Sequence, residues 1–348
     1  MSERRSAAHR KARGLMPPPA ERVTPHDLVT GTICAVSGVV DDNGAMVVSE
    51  VHFPGALDRD SPRERNSEEA GMMKRAHLNG VTSGVGPCVL IVGGFDLSSG
   101  EGRMEMQMLV DYVQGYNVDA SDCGEIDASN PGNICCVIIA GGVFGMPDAE
   151  SEVVKSASST AAGDAIKAAD DFISQLCMHV PVHLIPGPLD PTNAMLPQMP
   201  IHPCMLRESM TYDSLVNCAN PYSCRIGGCA FLGTTGAPIK DLVDKTCRVV
   251  NGEKVKVDDL TAIEMCLRMR HIAPTAPDSL PCHPFTTSDP FCIKDVPQCV
   301  FTCGSSDKFE TRTTEGGVRI IAVPEFKKRK IGAIVELDNM ECWSVKFG

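Results

Sequence analysis

Three observations predict an α/β fold. Cys88 to Val92 and Ile134 to Ala140 are continuous apolar runs, and each ends in a glycine pair, Gly93-Gly94 and Gly141-Gly142. Apolar runs without alternation suit strands covered on both faces. A third, shorter run, Val182, Leu184 and Ile185, breaks at Pro186-Gly187. Between the second and third runs, Glu152 to Met178 places Val154, Ala157, Ala161, Ala165, Ala169, Phe172 and Leu176 at helical spacing, which predicts a long amphipathic helix packed on the sheet.

The chain has 348 residues, 43% of them hydrophobic, enough for a sizeable core. Its net charge of −12 argues against a surface that grips a phosphate backbone unaided. The 17 cysteines are scattered through strand-like and loop segments with no Cys-x-x-Cys pair, so they read as small buried hydrophobes in a reducing compartment rather than as a zinc ribbon or a disulfide framework. No apolar run reaches the ~20 residues needed to cross a bilayer, and no membrane partner is expected.

Taken in order, residues 1–27 hold Arg4, Arg5, Arg10, Lys11 and Arg13 followed by Pro17 to Pro19, and read as a flexible tail. Leu28 to Phe53 holds two β-rich runs around Asp41-Asp42-Asn43-Gly44, which predicts a hairpin on a tight Asn-Gly turn. Two strands are not stable alone, so the hairpin is expected to belong to a larger β unit or to pack on the α/β region downstream. Residues 54–87 are polar, charged and glycine-containing, and read as an insertion or linker.

After the third strand comes a loop with prolines at 188, 191, 197, 200 and 203. So many prolines leave little entropy to lose on ordering, so the loop is expected to be a rigid surface. A second helix is predicted over Asp259 to Arg270, with Leu260, Ile263 and Leu267 on one face. Short strands follow at Val300 to Cys303, Val318 to Val323, Ile331 to Leu337 and Cys342 to Phe347. Lys327 to Lys330 reads as a solvated hairpin tip, with a nuclear-import signal as the sharper alternative.

Several blocks carry a resemblance. His202-Pro203-Cys204-Met205, Asn220-Pro221-Tyr222, Phe231-Leu232-Gly233-Thr234, Arg270-His271-Ile272-Ala273-Pro274-Thr275-Ala276-Pro277-Asp278 and Ser288-Asp289-Pro290-Phe291 resemble, in register, the B-subunit family of the replicative DNA polymerases alpha, delta and epsilon, the delta branch above all. Leu28 to Thr32 and Leu109 to Val113 fit the same pattern in the same order.

That resemblance implies a calcineurin-like metallophosphoesterase β-sandwich flanked by helices over 88–348, preceded by a partial oligonucleotide-binding-fold element and linker over 28–87. Most of that fold's early strands are expected to be absent. It further implies an inactivated, non-catalytic scaffold without cofactors. Its partners would be the cysteine-rich C-terminal domain of the polymerase's catalytic subunit and a further accessory subunit. DNA would be reached only indirectly through the complex, in the nucleus.

Two-metal phosphoester hydrolysis needs carboxylate and imidazole ligands on several strand ends. At the family's ligand positions this chain has Gly93 and Phe95 after the first strand, Gly142 and Gly145 after the second, and Pro188 and Leu189 after the third. Near the end it has Gly304-Ser305-Ser306-Asp307. The glycines stay and the ligands are gone, which sets the scaffold reading above that of an active two-metal phosphoesterase. Asp96, His183, Asp190 and His202 are the nearby residues that could rebuild a site. His183 reads instead as a satisfied sheet residue, Asp190 as a turn-former and His202 as a loop-ordering group.

Gly141-Gly142-x-x-Gly145 lacks the Lys-Ser/Thr of a phosphate loop, and one Trp and four Tyr are few for a single-strand-binding platform. Candidate partner-binding residues are Pro188, Leu189, Pro197 and Pro200 of the proline-rich loop and the turn Asn220, Pro221 and Tyr222, as rigid apolar anchors.

Overall fold

The computed structural model describes residues 28–55, 86–97, 102–116, 133–145, 159–250 and 253–348. The expected tail over 1–27, most of the insertion over 54–87 and the first residues of the long helix lie outside them.

Two mixed sheets form the centre. The first contains β3 (Cys88–Val92), β4 (Ile134–Ala140), β5 (Val182–Ile185) and β6 (Leu215–Asn217) in parallel, with β14 (Ile331–Glu336) and β15 (Cys342–Lys346) added antiparallel beyond β3. The second contains β7 (Tyr222–Ile226), β8 (Cys229–Thr234), β11 (Cys299–Cys303), β12 (Glu310–Thr313) and β13 (Arg319–Val323), in the order β12-β13-β11-β8-β7, while β9 (Cys247–Val250) and β10 (Glu253–Lys256) form a separate antiparallel pair.

The period of two along a strand explains why the apolar runs are continuous. Leu90 and Val92 of β3, Val137 and Ile139 of β4, and Val182 and Leu184 of β5 face one core, shared with α1 (Arg103–Val113) and α2 (Ser159–Cys177). The intervening Val89, Ile91, Cys136, Ile138 and Ile185 face a second core, shared with Phe231, Phe301, Ile321 and Val323 of the other sheet. The far side of that sheet, with Val300, Ile320 and Ala322, packs on α3 (Ala237–Lys245) and α4 (Asp259–Met269). The order is therefore helices, sheet, sheet, helices, and each inner strand is apolar on both faces because both faces are covered.

The predicted helices hold. In α2, Ala165, Ala169, Phe172 and Leu176 are buried. In α4, Asp258 caps the first turn by accepting from the Thr261 N–H at 3.4 Å, and Arg270 closes the helix in the left-handed region. None of the helices among the described residues is long and apolar enough to cross a membrane.

The hairpin is present as β1 (Ala35–Val40) and β2 (Met46–His52), a two-stranded sheet of its own. Its loop runs from Asp41 to Ala45 rather than as a two-residue turn. Asp41 Oδ1 accepts from the N–H groups of Asn43 and Ala45 at 2.9 and 2.8 Å, and Gly44 takes a positive φ of 80°. The far end packs: Val51 and Phe53 join the α3/α4 core, the Arg268 guanidinium lies 4.7 Å over the Phe53 ring, and Arg270 Nε donates to Gly55 O at 2.9 Å. The expected linker thus begins as an anchored segment.

The basic run Lys327 to Lys330 also differs from expectation. It lies in a helical turn, α5 (Phe326–Arg329), and each member is engaged. Lys327 pairs with Asp96, Lys328 with Glu325 at 2.9 Å and Lys330 with Glu105 at 3.8 Å, while Arg329 Nε donates to Asp307 O at 2.8 Å. It is not a free hairpin tip, because acidic groups and a carbonyl from neighbouring segments converge on it.

Candidate functional site

Loops at the carboxyl ends of β3, β4, β5, β8, β11 and β13 converge where an α/β protein ordinarily places its ligand. Here the main chain fills that place. Gly94 N–H donates to Gly141 O at 2.7 Å, Asp96 N–H to Gly142 O at 2.8 Å, Phe326 N–H to Gly93 O at 2.8 Å, and Gly304 N–H to Val323 O at 2.9 Å. A Cβ on Gly187 would meet Gly142 N at 2.7 Å and the Cα of Gly141 at 2.9 Å, so only glycine allows this approach.

Asp190 organises the closure. Its carboxylate is buried and accepts from the N–H groups of Gly187 at 2.7 Å, Gly142 at 2.8 Å and Phe144 at 3.0 Å. Burial pushes its pKa up, and the backbone donors pull against that. The turn-forming reading of Asp190 was too local, since two of its three donors come from the loop after β4.

Phe95 is buried and packs at 5.2 Å on Phe172 and 4.7 Å on Phe326. Asp96, in a left-handed conformation, holds the Lys327 ammonium. A pair of metal ions would need open lone pairs here, but the Asp190 oxygens are occupied by backbone donors and Asp96 faces a cation. Phe95, Pro188 and Leu189 have no lone pair to give. The described residues at these strand ends do not fit a two-metal centre.

His183 points into the space between the sheets, where Nδ1 lies 2.7 Å from the Tyr222 hydroxyl. Burial lowers its pKa to about 4, so it is neutral at physiological pH. His202 caps a short 3-10 turn by accepting from the Cys204 N–H at 3.3 Å. The site residues expected from sequence are thus brought together as structure, and the four that could have rebuilt a site do other work.

The proline-rich loop divides in two. Pro188, Leu189 (49% exposed) and Met199 (63% exposed) face outward, and Pro197 and Pro200 are half-buried. Asn193 ties the loop from within: Nδ2 donates to Met195 O and Pro197 O at 2.5 and 3.1 Å, and Oδ1 accepts from Met199 N–H at 2.6 Å. Asn220 and Tyr222 are not surface anchors. Both are buried, Asn220 Nδ2 donating to Gln198 Oε1 and to Thr235 Oγ1 at 2.7 Å each, because they close the seam between loop and sheet. Pro221 between them is half-buried.

Sequence reasoning missed Asp170, a buried carboxylate on α2 that accepts from the N–H groups of Glu208 and Ser209 at 2.8 and 2.9 Å. Its position on the buried face of an otherwise apolar helical stripe is the signal that could have found it.

The cysteines whose side chains are described are free thiols. Eight are buried, and burial pushes Cys135 and Cys266 up to about 12. Cys204 and Cys292 are exposed and depart from the expectation of buried hydrophobes.

The chain belongs to the DNA polymerase alpha/epsilon B-subunit family, whose pattern matches residues 89–311. Among individual relatives it is similar to the DNA polymerase delta small subunit of Oryza sativa, 30% identical over 94% of this chain and 71% of that one. It is also similar to the DNA polymerase delta small subunit of Arabidopsis thaliana, 31% identical over 93% and 68%, and to DNA polymerase delta subunit 2 of Drosophila melanogaster, 30% identical over 92% and 68%.

Proposed function

We propose that the chain is a non-catalytic accessory subunit of DNA polymerase delta that scaffolds the catalytic chain during replication and repair synthesis in the nucleus. Its body, 88–348, is read as a calcineurin-like phosphoesterase sandwich that has lost its metals, and 28–87 as what the chain holds of an oligonucleotide-binding element and a linker. The catalytic subunit of DNA polymerase delta binds through its cysteine-rich C-terminal domain, a further accessory subunit binds elsewhere, and DNA is met only through the complex.

The observation that carries this reading is the closure of the loop ends. Backbone hydrogen bonds and an aromatic cluster occupy the place where ions and a phosphoester would sit, so what the fold retains is a rigid surface. Leu189 and Met199, exposed on an internally tied loop, are the side chains that such a surface offers a partner, with Pro188, Pro197 and Pro200 as its braces. The net charge of −12 fits a protein-binding rather than a DNA-gripping role.

Two assays test it. In manganese, zinc or iron buffers the chain is expected to hydrolyse a generic phosphodiester no faster than a metal-only blank; turnover that scales with protein and survives repurification removes the scaffold reading. A Leu189→Glu, Met199→Glu double variant is expected to keep its fold and weaken binding to the catalytic subunit's C-terminal domain by tenfold or more. Unchanged affinity would move the interface off this loop.

A further inference from the structure

The segment after α4 brings three different metal-binding side chains together, away from the closed loops. His271 and Cys292 form an isolated antiparallel bridge. Main-chain bonds brace it on both sides, Ile272 N–H donating to Phe291 O at 3.0 Å and Ile293 N–H to Arg270 O at 2.9 Å. Asp289 is set by its own turn: Oδ1 accepts from the Phe291 N–H at 2.8 Å, which leaves Oδ2 facing His271 Nε2 at 2.9 Å. The His271 ring packs on Phe291 with centroids 5.9 Å apart. One donor atom from each of His271, Asp289 and Cys292 lies within 4.8 Å of the other two, the one such group among the described residues.

We propose that His271, Asp289 and Cys292 bind a zinc-class divalent cation that staples the 288–293 segment to the end of α4. The donor set decides the class. An imidazole nitrogen, a carboxylate oxygen and a thiolate suit zinc, whereas magnesium and calcium take oxygen ligands. Zinc bonds of about 2.0–2.3 Å place tetrahedral donors roughly 3.3–3.8 Å apart, so closure asks for side-chain movement of about 1 Å, and Asp289 and Cys292 are exposed enough to make it.

The ring must also change tautomer. Ala273 N–H donates to Nδ1 at 3.3 Å, which puts the neutral ring's proton on Nε2, toward Asp289. On binding, the cation takes Nε2, the ring proton moves to Nδ1, that long contact is given up, and the Cys292 thiol releases its proton to solvent.

Three protein donors leave one position for water or a fourth ligand. Asp289 and Cys292 also line a groove of about 670 Å³ with Pro197, Pro221 and Lys294, so a cation here would stiffen its wall.

The test uses the full chain, reduced and stripped of metal, and does not depend on polymerase assembly. Titration with cobalt(II) is expected to give one equivalent bound with a thiolate-to-cobalt absorption band, displaced by zinc. Cys292→Ser, at an exposed position, is expected to remove the band, and His271→Gln to weaken binding at least tenfold. Cys204→Ser removes the exposed thiol that lies 2.9 Å from His202 Nδ1, and should leave the titration unchanged. No band at micromolar cobalt, a band that survives Cys292→Ser, or one lost with Cys204→Ser overturns the assignment.

Discussion

His183 and Asp190 show how single polar residues are kept inside this protein, and each makes a measurable demand. The His183 pKa falls from 6.5 to about 4 on burial, so the unfolded chain takes up a proton in that window and the folded chain does not. Stability is full above pH 6.5 and is lost as pH falls toward 4, by about 3 kcal/mol from this group. Urea unfolding at pH 7.5 and pH 4 should show that increment in the wild type and not in His183→Gln; equal pH dependence would contradict it. Asp190→Ala leaves the N–H groups of Gly142, Phe144 and Gly187 without their acceptor. At about 1–3 kcal/mol for each buried unsatisfied group, the expected loss is at least ~3 kcal/mol by denaturant titration at neutral pH, and a loss below ~1 kcal/mol would show that the loops do not hang on this carboxylate. His183 was legible as a satisfied sheet residue because it alternates with apolar neighbours. Asn220 and Tyr222 were not legible as interior groups, because their partners Gln198, Thr235 and His183 lie 22, 15 and 39 residues away, beyond any local pattern.

At the scale of elements, two glycines argue in opposite directions. Gly187→Ala drives a Cβ into the backbone of the loop after β4, and overpacking of this kind costs about 1–3 kcal/mol. Gly163, within α2, has open space around a new Cβ, and alanine there should add about 1 kcal/mol through helix propensity. Thermal unfolding of the two variants should move the midpoint down and up respectively, and a fall for both would mean that the α2 surface is not free. Strands β3, β4 and β5 were readable because burial on both faces removes polar residues from the run. β7 was not, since it lies at a sheet edge with Tyr222 and Ile226 buried, Cys224 half-buried, and Ser223 and Arg225 exposed. β12, at the other edge of that sheet, was missed because Glu310 to Thr313 carries no buried residue. The closed loops were legible as glycines without ligands. What fills their place comes from Phe326, Lys327 and Asp190, which only the fold brings there.

At the scale of the whole molecule, the described residues form two sheets packed face to face between helices, and backbone hydrogen bonds join the loops at their strand ends. Membership in the polymerase B-subunit family gives the surfaces of these layers a partner to be tested. The most direct measurement is co-expression of the tagged full chain with the catalytic subunit of DNA polymerase delta, followed by size-exclusion chromatography with light scattering. The account predicts a 1:1 complex that survives dilution to nanomolar concentration. Elution of the two chains as separate species at micromolar concentration would contradict it.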